Sequence, residues 1–316
     1  MEILIGYTGF VGSNICSRHN FGGLYNSKNI EGAYGTNPDL CVYAGVRAEK
    51  FAADNFPERD LEHINDALEN IRRIAPGKLV LISTIDVIAP QSGDMDIYED
   101  TPYQTDALTP YGRNRLLLER EARKLCPDAL VVRLPGLFGD GLKKNFIYDM
   151  INFIPAMLKK AKFEELRKAA AELGDFYKED ENGFFRLVPD ISREERAILK
   201  SLFLKLGFSA LSFTDSRSKY AFYDLRYLYK HIKILLGSDI TLAHIATGPV
   251  TAAELHNAVY GGVFVNEIME RPFDYSFFKT KYAALLEENA AGGYIFGGAR
   301  VMAEAAEFIK ASQRAF

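Results

Sequence analysis

Three evenly spaced glycines in Gly6-Tyr7-Thr8-Gly9-Phe10-Val11-Gly12 follow the apolar run Ile3-Leu4-Ile5 directly and precede Ser13 and Asn14. Glycine admits positive φ and close backbone approach, so main-chain N–H groups and a helix start here could face a pyrophosphate. Gly6, Thr8, Gly9, Phe10, Val11 and Gly12 are therefore candidate cofactor contacts. An acid at the end of the next strand would suit an unphosphorylated adenosine ribose, and a base a 2′-phosphate. Asn26, Ser27 and Lys28 offer no carboxylate and one cation, which leans toward NADP over NAD. Farther on, Pro110-Tyr-Gly-Arg-Asn-Arg115 places Tyr111 and Arg115 four residues apart, on one face of a helix. The histidines His19, His63, His231, His244 and His256 show no ligand spacing, so no metal is expected.

The elements that must carry these residues are written as alternation. Short apolar runs at 3–5, 40–44, 78–83 and 129–133, with a weaker one at 23–26, are separated by helical spacing at 11–18, 60–74 and 111–125. Strands alternating with helices predict an α/β fold, a Rossmann-type doubly wound parallel sheet over 1–142. From residue 143 the pattern shifts to charged amphipathic helices, at 155–173 and 193–206, joined by the polar stretch 178–183. This predicts a smaller, mainly helical C-terminal substrate lobe over 143–316, with a helical insertion at about 155–214. Further helices are expected at 224–236 and 251–259, with a strand-like 241–246 between them, and a helix at 303–315 closes the chain.

Composition bounds the partners. The chain has 316 residues, 48% of them hydrophobic, and a formal net charge of -4, which counts against nucleic acid or an anionic membrane as the main partner. No apolar stretch reaches the roughly 18 residues of a membrane span. Cys16, Cys41 and Cys126 are odd in number and far apart, which fits a reducing compartment and a cytoplasmic protein. Oligomeric state is not written in the sequence; a homodimer is allowed for.

The G-x-x-G-x-x-G spacing resembles that of the extended short-chain dehydrogenase/reductases, the NAD-dependent epimerase/dehydratase family. Several separated segments are similar to that family, and the likeness of 215–225 to the point where it leaves its substrate lobe implies that the chain returns to the first domain near 215–247. Val42-Tyr43-Ala44-Gly45 occupies the place of its small-residue turn after the fourth strand, lining the cofactor, and Asn65 resembles its helix asparagine. Leu81-Ile-Ser-Thr-Ile-Asp-Val87 resembles the strand end that carries its catalytic Ser or Thr, which would be Thr84. Tyr111 then stands for the catalytic Tyr of a Y-x-x-x-K motif, with Arg115 in the lysine position.

The resemblance implies hydride transfer at a carbonyl or hydroxyl carbon of a sugar attached to a nucleotide. Tyr111 would exchange a proton with the oxygen, Thr84 would hold it, and Arg115 would keep the cationic role beside the phenol and the nicotinamide ribose. Pro135 would lie by the nicotinamide. Gly136 departs from the asparagine many epimerases carry there. The Gly141-Leu-Lys-Lys-Asn145-Phe ending and the Tyr111-Gly112 pair are locally most similar to the dTDP-4-dehydrorhamnose reductase branch. Asp86, Asn145 and Arg217 are candidate contacts to a nucleotide-diphosphate sugar, Asp86 also as a base for epimerisation. Two other readings remain open: a catalytically silent NAD(P)-binding protein, with Arg115 and Gly136 as the marks of loss, and a reductase of another small carbonyl compound.

Overall fold

The computed structural model of the protein describes residues 1–88 and 95–315. The chain opens with β1 (Glu2–Ile5), α1 (Phe10–Cys16), β2 (Gly23–Tyr25), β3 (Leu40–Tyr43), α2 (Lys50–Asn55), α3 (Pro57–Ile74), β4 (Leu79–Thr84), α4 (Pro110–Leu125), β5 (Leu130–Leu134) and β6 (Gly136–Phe138). Strands β3 and β5 are buried at every residue, the pattern of parallel strands covered on both faces. Helix α3 buries Ile64, Ala67, Ile71 and Ile74 at alternating three- and four-residue steps and ends at Ala75 in the left-handed region, φ 50°. With Ile3, Tyr43, Leu81, Leu118 and Val131 these residues form one apolar core.

The chain continues through α5 (Phe146–Asn152), β7 (Met157–Lys159), α6 (Lys160–Ala169), α7 (Leu173–Phe176), β8 (Tyr177–Glu179), β9 (Phe184–Leu187) and α8 (Arg193–Lys205). The single helix expected over 155–173 is instead a strand and two short helices. Strand β7 pairs antiparallel with β9, which pairs with β8, and the Phe163 and Phe185 rings stack with centroids 3.9 Å apart. The polar stretch 178–183 is a hairpin end: Asp180 Oδ1 accepts from the backbone N–H groups of Asn182 and Phe184, and Gly183 takes φ +77°.

The remaining elements are β10 (Lys219–Tyr220), β11 (Phe222–Asp224), α9 (Leu228–Leu236), β12 (Leu242–His244), β13 (Val250–Thr251), α10 (Ala252–Tyr260), α11 (Ala283–Leu286) and α12 (Gly298–Ala315). The central sheet has the order β12-β5-β4-β3-β1-β2, parallel throughout, a doubly wound Rossmann-type α/β fold. The chain runs from β2 through a 3-10 turn at Ile30–Ala33 straight to β3 on the other side of β1. The outer strand of the order 3-2-1-4-5-6 is therefore missing, so Ala44-Gly45 follows the third strand of this chain and not a fourth.

The chain divides into two compact units, one of residues 1–142, 219–250 and 273–301, the other of residues 143–218, 251–272 and 302–316. No helix among the described residues is long and apolar enough to cross a membrane.

Candidate active site

The glycine loop is shaped by its own packing at two of its three glycines. Gly6 has φ +86°, and a Cβ there would lie 2.5 Å from the Ala44 carbonyl oxygen; a Cβ on Gly12 would lie 2.1 Å from the carbonyl oxygen of Gly6. Both positions are closed to any larger residue by the protein itself. Gly9 differs: its φ of -79° suits any residue, and a Cβ there would meet only the Gly6 oxygen, at 3.3 Å. No side chain caps α1 and no acid stands in its first turn, which leaves the N–H groups after Gly9 facing outward without a carboxylate. Asn14 anchors the helix behind the loop, donating to the carbonyls of Phe10 and Asp140, each at 2.8 Å.

The neighbouring strand ends meet this loop. The Gly6 N–H donates to the Tyr25 carbonyl at 2.7 Å, and the Ala44 N–H to that of Ile5 at 2.9 Å. Asn26 closes a turn by accepting from the Lys28 N–H at 2.9 Å, leaving the Lys28 side chain exposed. Gly6, Thr8, Gly9, Asn26, Ala44 and Gly45 thus gather at the carboxyl ends of β1, β2 and β3, where ligands of open parallel sheets bind.

The second cluster sits at the end of β4. Thr84 caps the 3-10 turn Ile85–Val87; its Oγ1 accepts from the Asp86 N–H and donates to Asp86 Oδ2, both at 3.2 Å. Lys50 on α2 meets Asp86 Oδ1 at 2.5 Å. Helix α4 starts against this turn: a Cβ on Gly112 would lie 2.2 Å from the Asp86 carbonyl oxygen, so the glycine after Tyr111 is a packing requirement. The Tyr111 N–H donates to Asp54 Oδ1 at 2.9 Å, and the residue is only 5% exposed. Burial raises the pKa of Tyr111; the positive charge of Arg115 opposes this and the carboxylate of Asp86 adds to it.

Arg115 is itself committed. Its guanidinium, 4% exposed, donates through both terminal nitrogens to Asp60, each contact 2.9 Å, and to the Arg47 carbonyl at 2.6 Å. It lies over the Tyr111 ring, 4.4 Å from the centroid. Asp60 and Lys50 escaped the sequence reading, and nothing in their local spacing signals a part in the site.

Pro135 is buried between β5 and β6, and Gly136 follows because a Cβ there would lie 2.9 Å from the Ala221 carbonyl oxygen, where β6 meets β11. Asn145 and Arg217 belong to the other unit. Asn145, at φ 92°, caps α5 by accepting from the Tyr148 N–H. Arg217 chelates Asp215 at 3.0 and 2.8 Å and reaches the Met269 carbonyl and Glu267. That guanidinium holds the Asp215 carboxyl well below the usual range. Asn65 is exposed on α3, and no group of three or more ligating side chains among the described residues could hold a metal ion.

No protein-family model and no curated protein matches the sequence. The fold is similar to several solved structures over nearly whole chains. The dTDP-4-dehydrorhamnose reductase of Yersinia enterocolitica matches at TM-score 0.63 and 14% identity, covering 98% of this chain and 99% of that one. RMD of Pseudomonas aeruginosa, solved with NADPH, matches at TM-score 0.64 and 14% identity, covering 100% and 98%. UDP-glucose 4-epimerase of Thermotoga maritima, solved with UDP-glucose, matches at TM-score 0.61 and 12% identity, covering 99% of each chain.

Proposed function

We propose that the chain is an extended short-chain dehydrogenase/reductase, an NAD(P)-dependent enzyme of a nucleotide-linked sugar, working in the direction of carbonyl reduction. The observation that carries this reading is the open Gly9 loop and the Thr84–Asp86–Tyr111 cluster on the carboxyl edge of one parallel sheet. The dinucleotide fits the loop on two grounds: Gly9 is spared by internal packing, and the helix behind it is uncapped. When bound, the nicotinamide supplies the hydride. An exposed Lys28 and the lack of a carboxylate after β2 support NADP, the cofactor found as NADPH in the Pseudomonas relative.

The chain's own residues handle the oxygen and its proton. The Tyr111 phenol, kept protonated by burial, donates its proton to the carbonyl oxygen as hydride arrives at carbon. Thr84 positions that oxygen by turning its one hydroxyl proton to it from Asp86 Oδ2, while Lys50 holds the Asp86 carboxylate beside it. Arg115 steadies the Tyr111 ring by its face contact while Asp60 balances its charge.

A second reading, a cofactor-binding protein without turnover, draws on one observation: the cation expected to stabilise tyrosinate is already paired with Asp60. A thermal-shift panel of NAD, NADP and nucleotide-diphosphate sugars separates the possibilities at the level of binding. The proposal expects NADP and at least one nucleotide sugar to raise the melting temperature in a saturable way. No shift with any of them on a folded protein would sink it.

A further inference from the structure

Away from the glycine loop and the Tyr111 cluster, a cavity of about 310 Å³ opens between α4, β5 and the segment 101–105. Its floor is a buried charge network. Glu119, 3% exposed, accepts from Arg133 Nε at 3.0 Å and Nη2 at 2.7 Å, and from the Ser83 hydroxyl at 2.5 Å. Arg133 Nη1 faces His244 Nε2 at 3.3 Å, and burial lowers that imidazole's pKa to about 4, which keeps it neutral at pH 7. One carboxylate therefore stands against three guanidiniums that line the space, those of Arg120, Arg123 and Arg133.

Glu119 satisfies Arg133, and the other two arginines keep their excess charge. Arg120 is exposed and has no ion-pair partner among the described residues. Arg123 is fixed by donating from Nη2 to the Thr241 carbonyl at 2.7 Å, while its Nε is buried with no acceptor. A buried donor left unpaired is costly, and native proteins seldom leave one without a partner. Burial, together with the like charge of Arg133 and against the pull of Glu119, depresses the Arg123 pKa. An anion in the cavity would offset the excess charge of Arg120 and Arg123.

We infer that this cavity binds a small phosphate monoester, its phosphate gripped by Arg120 and Arg123. Planar guanidinium forks match phosphate oxygens better than any other side chain. Thr101 and Thr105 line the same space. The volume falls at the lower end of the range of about 300–1,000 Å³ typical of small-molecule sites, which leaves room for an organic group beside the phosphate. Tyr103 and Leu116 line the cavity with the apolar surface such a group would cover.

Calorimetric titration of the full chain with glycerol 3-phosphate and with inorganic phosphate, each with and without saturating NADP, tests the assignment. Expected is one saturable site for glycerol 3-phosphate, tighter than for inorganic phosphate and unaffected by NADP. Arg120→Gln and Arg123→Gln should each weaken it by about tenfold or more, as the loss of a charge-assisted contact does, and leave NADP affinity unchanged. No saturable binding, equal binding by both variants, equal affinity for the two probes, or displacement by NADP would each overturn it. Arg120 is exposed, so its variant gives the answer even if Arg123→Gln fails to fold.

Discussion

Arginine at position 115 changes what the residue four after Tyr111 can do. A lysine is a compact point charge, whereas the fork of Arg115 spans both oxygens of Asp60. Removing one partner of a buried ion pair strands the other, which typically costs about 3–5 kcal/mol. Arg115→Ala should therefore lose stability of that order in chemical denaturation, and Arg115→Lys should recover part of it through one contact to Asp60. A loss under about 1 kcal/mol in Arg115→Ala would mean the pair is not what holds α3 to α4. The Y-x-x-x-R spacing was legible in the sequence and its consequence was not, because Asp60 lies 55 residues away and only the packing of α3 against α4 joins them.

At the scale of elements, the glycine loop separates two kinds of requirement. Gly12→Ala forces a Cβ into the Gly6 backbone and should lower the melting temperature, by overpacking of about 1–3 kcal/mol. A Cβ on Gly9 meets only the Gly6 oxygen, at 3.3 Å, so Gly9→Val should keep the fold while abolishing NADP binding, which calorimetry of the folded variant reads directly. Unchanged affinity in Gly9→Val would put the pyrophosphate elsewhere. The strands around this loop were legible because parallel strands covered on both faces read as apolar runs, as at 40–43 and 130–132. The hairpin of β8 and β9 was not. Its strands are three and four residues long, too short for alternation to register, although Asp180-Glu-Asn-Gly183 holds the turn residues that could have announced it.

For the molecule as a whole, two fully buried histidines tie stability to pH. Burial lowers the pKa values of His231 and His244 to about 4 from an ordinary 6.5. Between these values the unfolded chain binds protons that the folded chain refuses, so the contribution is complete above about pH 6.5 and is lost as pH falls toward 4. The melting temperature should drop across that window, and His231→Gln should flatten part of the slope. A melting temperature constant from pH 6.5 to 4 would contradict the buried neutral assignment. Fold class was legible at this scale from the alternation of strands and helices. The later return over 273–301 was not, since that stretch carries no pattern that marks it.

The central claim is that Tyr111 delivers a proton while hydride passes to a sugar carbonyl. Its most direct test is NADPH oxidation by the wild type and by Tyr111→Phe, with 4-keto nucleotide sugars as substrates. The account predicts sugar-dependent oxidation by the wild type, falling by about 10²–10⁴-fold in Tyr111→Phe, the range of general acid catalysis, with NADPH affinity unchanged. Full activity in Tyr111→Phe, or no oxidation by a wild type that binds both NADPH and the sugar, would contradict it.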